Sequence, residues 1–276
     1  MRFKISLAGD LGSGKSTVSK IIMARTGAEY YSTGTICRAE AERHGMTIDE
    51  FNRYMETHPE VDKMIDDSLI ALSDDPRTLI IDSRMAFHFV RGTFRVYLTT
   101  DPLVSAKRIL GDKRTGESFD TVEETAKRVA ARRESENYRY FEKYGVHIMD
   151  MQNYDCIIDT TAISPEDVAD LILRSLEIWQ EHEGVRFCEL DFRRFWTKVA
   201  VTPAMRREAK QSIKRCQGYF FPEVRELNGV YYVESGVESI LCDYYLKCLT
   251  VACKLLPGAP EHPEDNQPMF QLNDLL

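Results

Sequence analysis

The 276-residue chain has no apolar stretch long enough to span a bilayer. Its first residues, Met1-Arg2-Phe3-Lys4-Ile5, run into a strand-like segment rather than a charged leader and an apolar signal core. The expectation is a cytoplasmic protein with no membrane partner. Cys-x-x-Cys pairs are absent as well. The seven cysteines, Cys37, Cys156, Cys188, Cys216, Cys242, Cys248 and Cys253, are an odd set lying partly inside apolar segments. That pattern fits reduced thiols and offers neither a disulfide framework nor zinc-site spacing. No long basic block offsets the net charge of −8, which argues against nucleic acid as a partner and favours small substrates. Internal repeats are also missing. What the chain does have is 43% hydrophobic content, enough for a full α/β core and a smaller second domain.

Residues 9 to 16 read Gly-Asp-Leu-Gly-Ser-Gly-Lys-Ser, directly after the apolar run Phe3-Lys4-Ile5-Ser6-Leu7-Ala8. A buried strand, a phosphate-binding loop and a helix start in that order predict a nucleoside triphosphate site. Gly9, Gly12 and Gly14 let the backbone curl with its N–H groups inward, and Ser13 counts with them among the nucleotide-binding residues. Lys15 is placed to meet the β- and γ-phosphates, and Ser16 to offer a hydroxyl to Mg²⁺. The helix running on through Thr17 turns its positive end to the anion. ATP and Mg²⁺ are therefore the expected cofactors.

Five strand-like runs, at residues 3–8, 29–32, 78–82, 94–99 and 155–159, alternate with helical patterns, the mark of a parallel sheet covered on both faces. A helical insertion at 34–75, with helix starts near Met46-Thr47-Ile48-Asp49-Glu50 and Pro59-Glu60-Val61-Asp62, is too long for a simple crossover and predicts a lobe over the substrate. A polar turn at 111–116 between two helices predicts a lid, flanked by Arg108 and Arg114. A last core helix starts at Ser164-Pro165-Glu166-Asp167. Beyond Gly184, aromatic strand-like runs at 219–221 and 230–233 flank Asn228-Gly229, a hairpin signal. An apolar helix at 240–246 and a strand at 249–255 follow. The expected division is a P-loop domain over 1–183, a small α+β domain over 186–256 and an extended or disordered tail over 257–276.

After the second strand, Ser32-Thr33-Gly34-Thr35-Ile36-Cys37-Arg38 sets an arginine one turn into a helix, suited to clamp a second phosphate. With Ile80-Ile81-Asp82-Ser83-Arg84, the run from Arg132 to Tyr140, Tyr144-Gly145 and the run from Tyr154 to Thr160, residues 1 to about 180 resemble the nucleoside monophosphate kinases, closest to their shorter cytidylate-kinase-like branch. The resemblance implies an α/β P-loop NTPase fold with a five-stranded parallel sheet of order 2-3-1-4-5, a helical acceptor lobe and a lid. It also implies ATP-dependent phosphoryl transfer to a nucleoside monophosphate, with CMP or dCMP expected. Thr35 stands where many adenylate-type relatives carry an acid, and no inserted pyrimidine-recognition subdomain is evident, so base identity stays open.

Phosphoryl transfer between two anions requires cations on both sides of the transferred group. Ser32, Gly34, Arg38, Asp82 and Arg84 are the candidates for the acceptor side. Arg128, Arg132 and Arg139, four and seven residues apart on one helix face, are candidates for the reaction centre with Lys15. Asp82, ending an apolar strand, is read either as a Mg²⁺-orienting carboxylate beside Ser16 or as a turn cap. Asp159 carries the same ambiguity, and His88 reads as a hydrogen-bonded core or lobe-lining residue rather than a catalyst. Two other functions compete: a kinase of another small metabolite, and a nucleotide-sensing protein in which a kinase-like domain controls the C-terminal module. That module faintly resembles the ParB/sulfiredoxin-like fold. Where that family places glycine, histidine and arginine, this chain has Gly236-Val237-Glu238-Ser239, so no activity is carried over; a partner-binding role or a homodimer contact is expected instead.

Overall fold

The apolar run at the amino terminus forms β1 (Lys4–Gly9), with Ile5 and Leu7 fully buried because helices cover the sheet on both sides. The computed structural model describes residues 2–111, 121–181, 186–215, 221–227, 229–246, 248 and 250–270. After β1 come α1 (Lys15–Thr26), β2 (Glu29–Ser32), α2 (Thr33–Arg43), α3 (Ile48–Thr57), α4 (Pro59–Ala71), β3 (Leu79–Asp82), α5 (Ala86–Phe89), β4 (Phe94–Thr99), α6 (Pro102–Gly111), α7 (Val122–Tyr144), β5 (Cys156–Asp159) and α8 (Pro165–Glu181). The chain continues through β6 (Phe187–Leu190), β7 (Phe195–Thr197), α9 (Pro203–Arg215), β8 (Glu223–Leu227), β9 (Val230–Ser235), α10 (Val237–Tyr245), β10 (Val251–Ala252), β11 (Lys254–Leu255) and β12 (Gln267–Pro268). No helix among the described residues is long and apolar enough to cross a membrane.

Strands β2, β3, β1, β4 and β5 lie in the expected order and pair in parallel. The sheet does not stop at five strands, however. Among the described residues it has seven, because β6 adds in parallel to β5 and β10 adds antiparallel to β6. The open edge of β5 would otherwise leave backbone donors and acceptors unpaired, and Phe187-Cys188-Glu189-Leu190 supplies the matching alternation. A second sheet runs in the order β11-β8-β9-β7-β12.

One face of the main sheet packs Ile5, Leu7, Val96 and Ile158 against Val18 and Ile22 of α1 and Val168 and Ile172 of α8. On the other face, Leu79 and Ile81 pack on Leu69 of α4. Further along that face, Ala8, Tyr97 and Ile157 share one apolar cluster with Phe195, Val224, Tyr231 and Ile240 from the C-terminal part. The acceptor lobe has its own small cluster of Ala41, Phe51 and Met55. Its helix α3 begins where the sequence places a start, with Thr47 and Glu50 forming a reciprocal capping box.

The C-terminal part contains a β8–β9 hairpin followed by α10 and then a strand, the order expected from sequence. Its first strand is displaced from the expectation: Phe221 lies outside any strand and β8 begins at Glu223, while 219, 220 and Asn228 fall outside the described residues. The expected strand at 249–255 is two short ones, since the chain leaves the first sheet after Ala252 and joins the second at Lys254. The tail expected to be extended or disordered is packed as far as it is described. β12 pairs with β7, and Met269 and Phe270 are buried beneath it, because two large apolar side chains find the aromatic surface of Phe192 and Tyr244. Residues 112–116 of the expected lid, with Arg114, and Cys216 lie outside the described residues.

Candidate active site

The loop between β1 and α1 takes the shape that its glycines permit. Gly9, Gly12 and Gly14 have φ of 146°, 71° and 87°, and a Cβ on Gly9 would press into the Leu98 backbone. Ser13 is buried and donates through Oγ to the Asp10 carbonyl at 2.8 Å, closing the turn. Lys15 folds back along the loop, its Nζ donating to the carbonyls of Gly9 at 3.0 Å and Asp10 at 2.7 Å. Burial, together with the Arg84 charge, lowers the Lys15 ammonium to a pKa of about 8, against the opposing pull of Asp82, Asp10 and Glu136. Thr17 sits exposed in the first turn of α1, its N–H bonded to the Gly14 carbonyl. Ser16 opens the same turn.

Arg84, just past the end of β3, donates from Nη1 to the Gly9 carbonyl at 2.9 Å and from Nε to Glu136 at 2.9 Å. It therefore stands at the triphosphate loop beside Lys15. Glu136 also accepts from Arg132 Nε at 3.1 Å, so one carboxylate of α7 holds two guanidiniums. Burial opposes the Glu136 charge, but the two arginines outweigh it and hold the carboxyl down at about 2. The residue pattern left Glu136 unselected, although its spacing of four from Arg132 is a readable helix-pair signal.

Arg139, one turn beyond, lies over the Tyr140 ring at 5.0 Å and donates to its hydroxyl. It lines a pocket beneath the acceptor lobe with Thr33, Cys37, Asp62, Asp66 and Ser83. Arg128 instead pairs with Glu124 at 2.7 Å on an exposed stretch of α7. Ser32 caps α2 by accepting from the Thr35 N–H, and Arg38 donates to Thr35 Oγ1 at 3.2 Å beside Gly34. His88 packs edge-on against Phe89 and beside Tyr144 of α7.

Asp82 accepts from the Tyr30 hydroxyl at 2.6 Å, and its charge reaches Lys15. The Ser16 hydroxyl and the Asp82 carboxylate are hard oxygen donors of the kind Mg²⁺ prefers, so the donor set fits that ion. Asp159, fully buried, pairs with Arg194 at 2.8 Å and accepts from Thr161, and so works inside the fold. Arg108 reaches the Gly12 carbonyl and the Thr160 carbonyl, tying α6 to the loop. Four contacts to Asp10 have no counterpart in the sequence pattern: Arg133 meets it at 3.3 Å, and it accepts from Tyr97, Thr99 and the Thr100 N–H.

Comparison with known proteins bears on this arrangement. Residues 5–143 match a family model described as an AAA domain. A cytidylate kinase of Thermoplasma volcanium is 36% identical over 178 residues, a match that takes in 91% of that protein and 63% of this chain. One from Archaeoglobus fulgidus is 32% identical, with 95% of its length and 63% of this chain covered. An S-adenosylmethionine-dependent nucleotide dehydratase of Lacinutrix mariniflava is 36% identical over 174 residues, which make up 36% of that protein and 63% of this chain. With most of the length of these cytidylate kinases matched at 32–36% identity, this chain belongs to the cytidylate-kinase branch of the nucleoside monophosphate kinase family.

Proposed function

We propose that the protein transfers the γ-phosphoryl group of ATP to a nucleoside monophosphate, with CMP or dCMP as acceptor. The observation that carries this reading is the bridge from Arg84 through Glu136 to Arg132, set against Gly9 and Lys15, with Arg139 one turn on in the acceptor pocket. In the transfer, an acceptor phosphate oxygen bonds to the γ-phosphorus while the bond to the bridging β–γ oxygen breaks. Charge shifts towards both outer oxygens, so fixed cations at each end stabilise the transition state. Lys15 and Arg84 serve the donor end, Arg132 the transferred group, and Arg139 with Arg38 the acceptor. Ser16 and Asp82 would hold Mg²⁺, which neutralises the β- and γ-oxygens when bound. Glu136 keeps the two guanidiniums at fixed spacing before substrates arrive, which lessens the reorganisation left for the reaction.

The test is incubation of the protein and Lys15→Ala with Mg²⁺-ATP and a panel of ribo- and deoxyribonucleoside monophosphates and small metabolites, following ADP and phosphorylated product. Fast conversion of CMP or dCMP, with turnover lost in Lys15→Ala, is the expected result. Conversion of a non-nucleotide metabolite alone would replace the acceptor, and tight ATP binding without any transfer would replace catalysis by nucleotide sensing.

A further inference from the structure

More than a third of this chain has no counterpart in the aligned cytidylate kinases, since the match covers 63% of it. The matching family model spans residues 5–143, and one side chain of the C-terminal part reaches the ends of two strands of the main sheet. Arg194 follows β6 and is 7% exposed. Its Nε donates to the Gly229 carbonyl at 2.7 Å, and its guanidinium lies over the Tyr231 ring at 4.9 Å. Its Nη1 donates to Asp159 at 2.8 Å and to Thr99 Oγ1 at 3.0 Å, at the ends of two central strands.

Accepting from Arg194 leaves the Thr99 hydroxyl proton to point at Asp10, whose Oδ2 it meets at 2.9 Å. Asp10 belongs to the loop itself. Its side chain is held by Tyr97, Thr99, the Thr100 N–H and Arg133, while its carbonyl accepts from Lys15 Nζ and Ser13 Oγ. One residue thus joins the buried polar network to the lysine that meets phosphate.

We propose that Arg194 is a positioning residue for the nucleotide-binding loop, acting through Thr99 on Asp10. The proposal rests on the reading of this loop as an ATP site. Without the guanidinium, the Thr99 hydroxyl is free to turn its proton towards the Asp159 carboxylate, which keeps its Thr161 donors but has lost its cation. Asp10 then loses a donor, and the loop loses one of the contacts that fixes its curvature. In this way the added part makes ATP binding depend on its own docking.

The experiment is titration calorimetry of the full-length protein with Mg²⁺-ATP, which needs no acceptor and so stands apart from the identity of the phosphorylated substrate. Arg194→Gln and the near-isosteric Thr99→Val should each weaken ATP binding by about tenfold, as loss of a supporting hydrogen bond does at other preorganised sites. The double variant should be no weaker than either single one, because both cut the same path. Val224→Ala, in the interior of the second sheet, lowers the melting temperature without touching the path and should leave ATP binding unchanged. If Arg194→Gln does not fold, Thr99→Val and Arg194→Lys carry the test, the lysine keeping the charge and recovering part of the affinity. Arg194 variants within twofold of the parent, additive losses in the double variant, or an equal loss in Val224→Ala would overturn the proposal. Parent protein that binds no ATP would instead overturn the reading of the loop.

Discussion

Arg84 and Glu136 come from opposite sides of the site, one after β3 and the other on α7, and their 2.9 Å contact ties the long helix to the nucleotide loop, because Arg84 also holds the Gly9 carbonyl. A carboxylate held at about 2 by two guanidiniums remains charged throughout the working pH range. It therefore keeps two cations close together that would otherwise repel.

Glu136→Gln keeps the shape and removes the charge, so one amide oxygen replaces the two carboxylate oxygens that the guanidiniums share. The expected outcome is a fall in kcat of about 10- to 100-fold, with a smaller change in the KM for ATP, since the arginines are needed most where charge develops. Steady-state kinetics with the preferred monophosphate check it. Equal loss in Glu136→Ala and no loss in Glu136→Gln would mean that volume matters here and charge does not.

Lys15 gives a pH dependence of defined sign. Its ammonium titrates at about 8 in the folded protein, below the 10.5 of a fully solvated lysine, which stands for the unfolded chain. Between these two values the unfolded state binds more protons, so stability rises with pH across this window, and the burden of the buried charge is greatest below about 8. ATP affinity runs the other way, falling above about pH 8 as the ammonium loses its proton. Thermal melts and ATP titrations from pH 7 to 10.5 measure both trends. Lys15→Met should abolish the rise in stability.

The glycines of the loop are not equivalent. At Gly9, φ is 146° and a Cβ would push into the Leu98 backbone, which belongs to a paired central strand and cannot yield. At Gly14, φ is 87° but the space around a Cβ is open. Gly9→Ala is expected to destabilise by about 2–4 kcal/mol and Gly14→Ala by about 1–2 kcal/mol. Denaturant unfolding of the two variants measures the difference.

The sequence makes the central five strands and the loop readable because each carries its own local signal: apolar runs, three glycines and a lysine at fixed spacing. Helix starts at Thr47 and Pro59 are legible for the same reason, through capping chemistry and proline. The growth of the sheet to seven strands is not, since β10 has only two residues and is defined by where β6 leaves an edge. Met269 and Phe270 lie beyond a proline-rich stretch, and only the aromatic surface they land on, built from distant residues, shows them to be core. Arg194 and Asp159 lie 35 residues apart in the chain. Nothing in the composition around either one announces their pairing.

The acceptor lobe offers a way to separate the two substrates. Its cluster of Ala41, Phe51 and Met55 is distinct from the sheet's cores, with Phe51 1% exposed at its centre. Phe51→Ala removes most of that small core, and a change of this kind costs about 3–5 kcal/mol where it is felt. The loss is felt within α2, α3 and α4, which place Cys37, Met55 and Asp62 around the pocket that Arg139 lines, while the nucleotide loop stands on β1 and α1. The KM for the monophosphate is therefore expected to rise about tenfold, on the order of 1.4 kcal/mol of binding, with ATP affinity changed less than about twofold. Parallel titrations with ATP and with the monophosphate check this. Equal weakening of both would mean that lobe and loop behave as one cooperative unit.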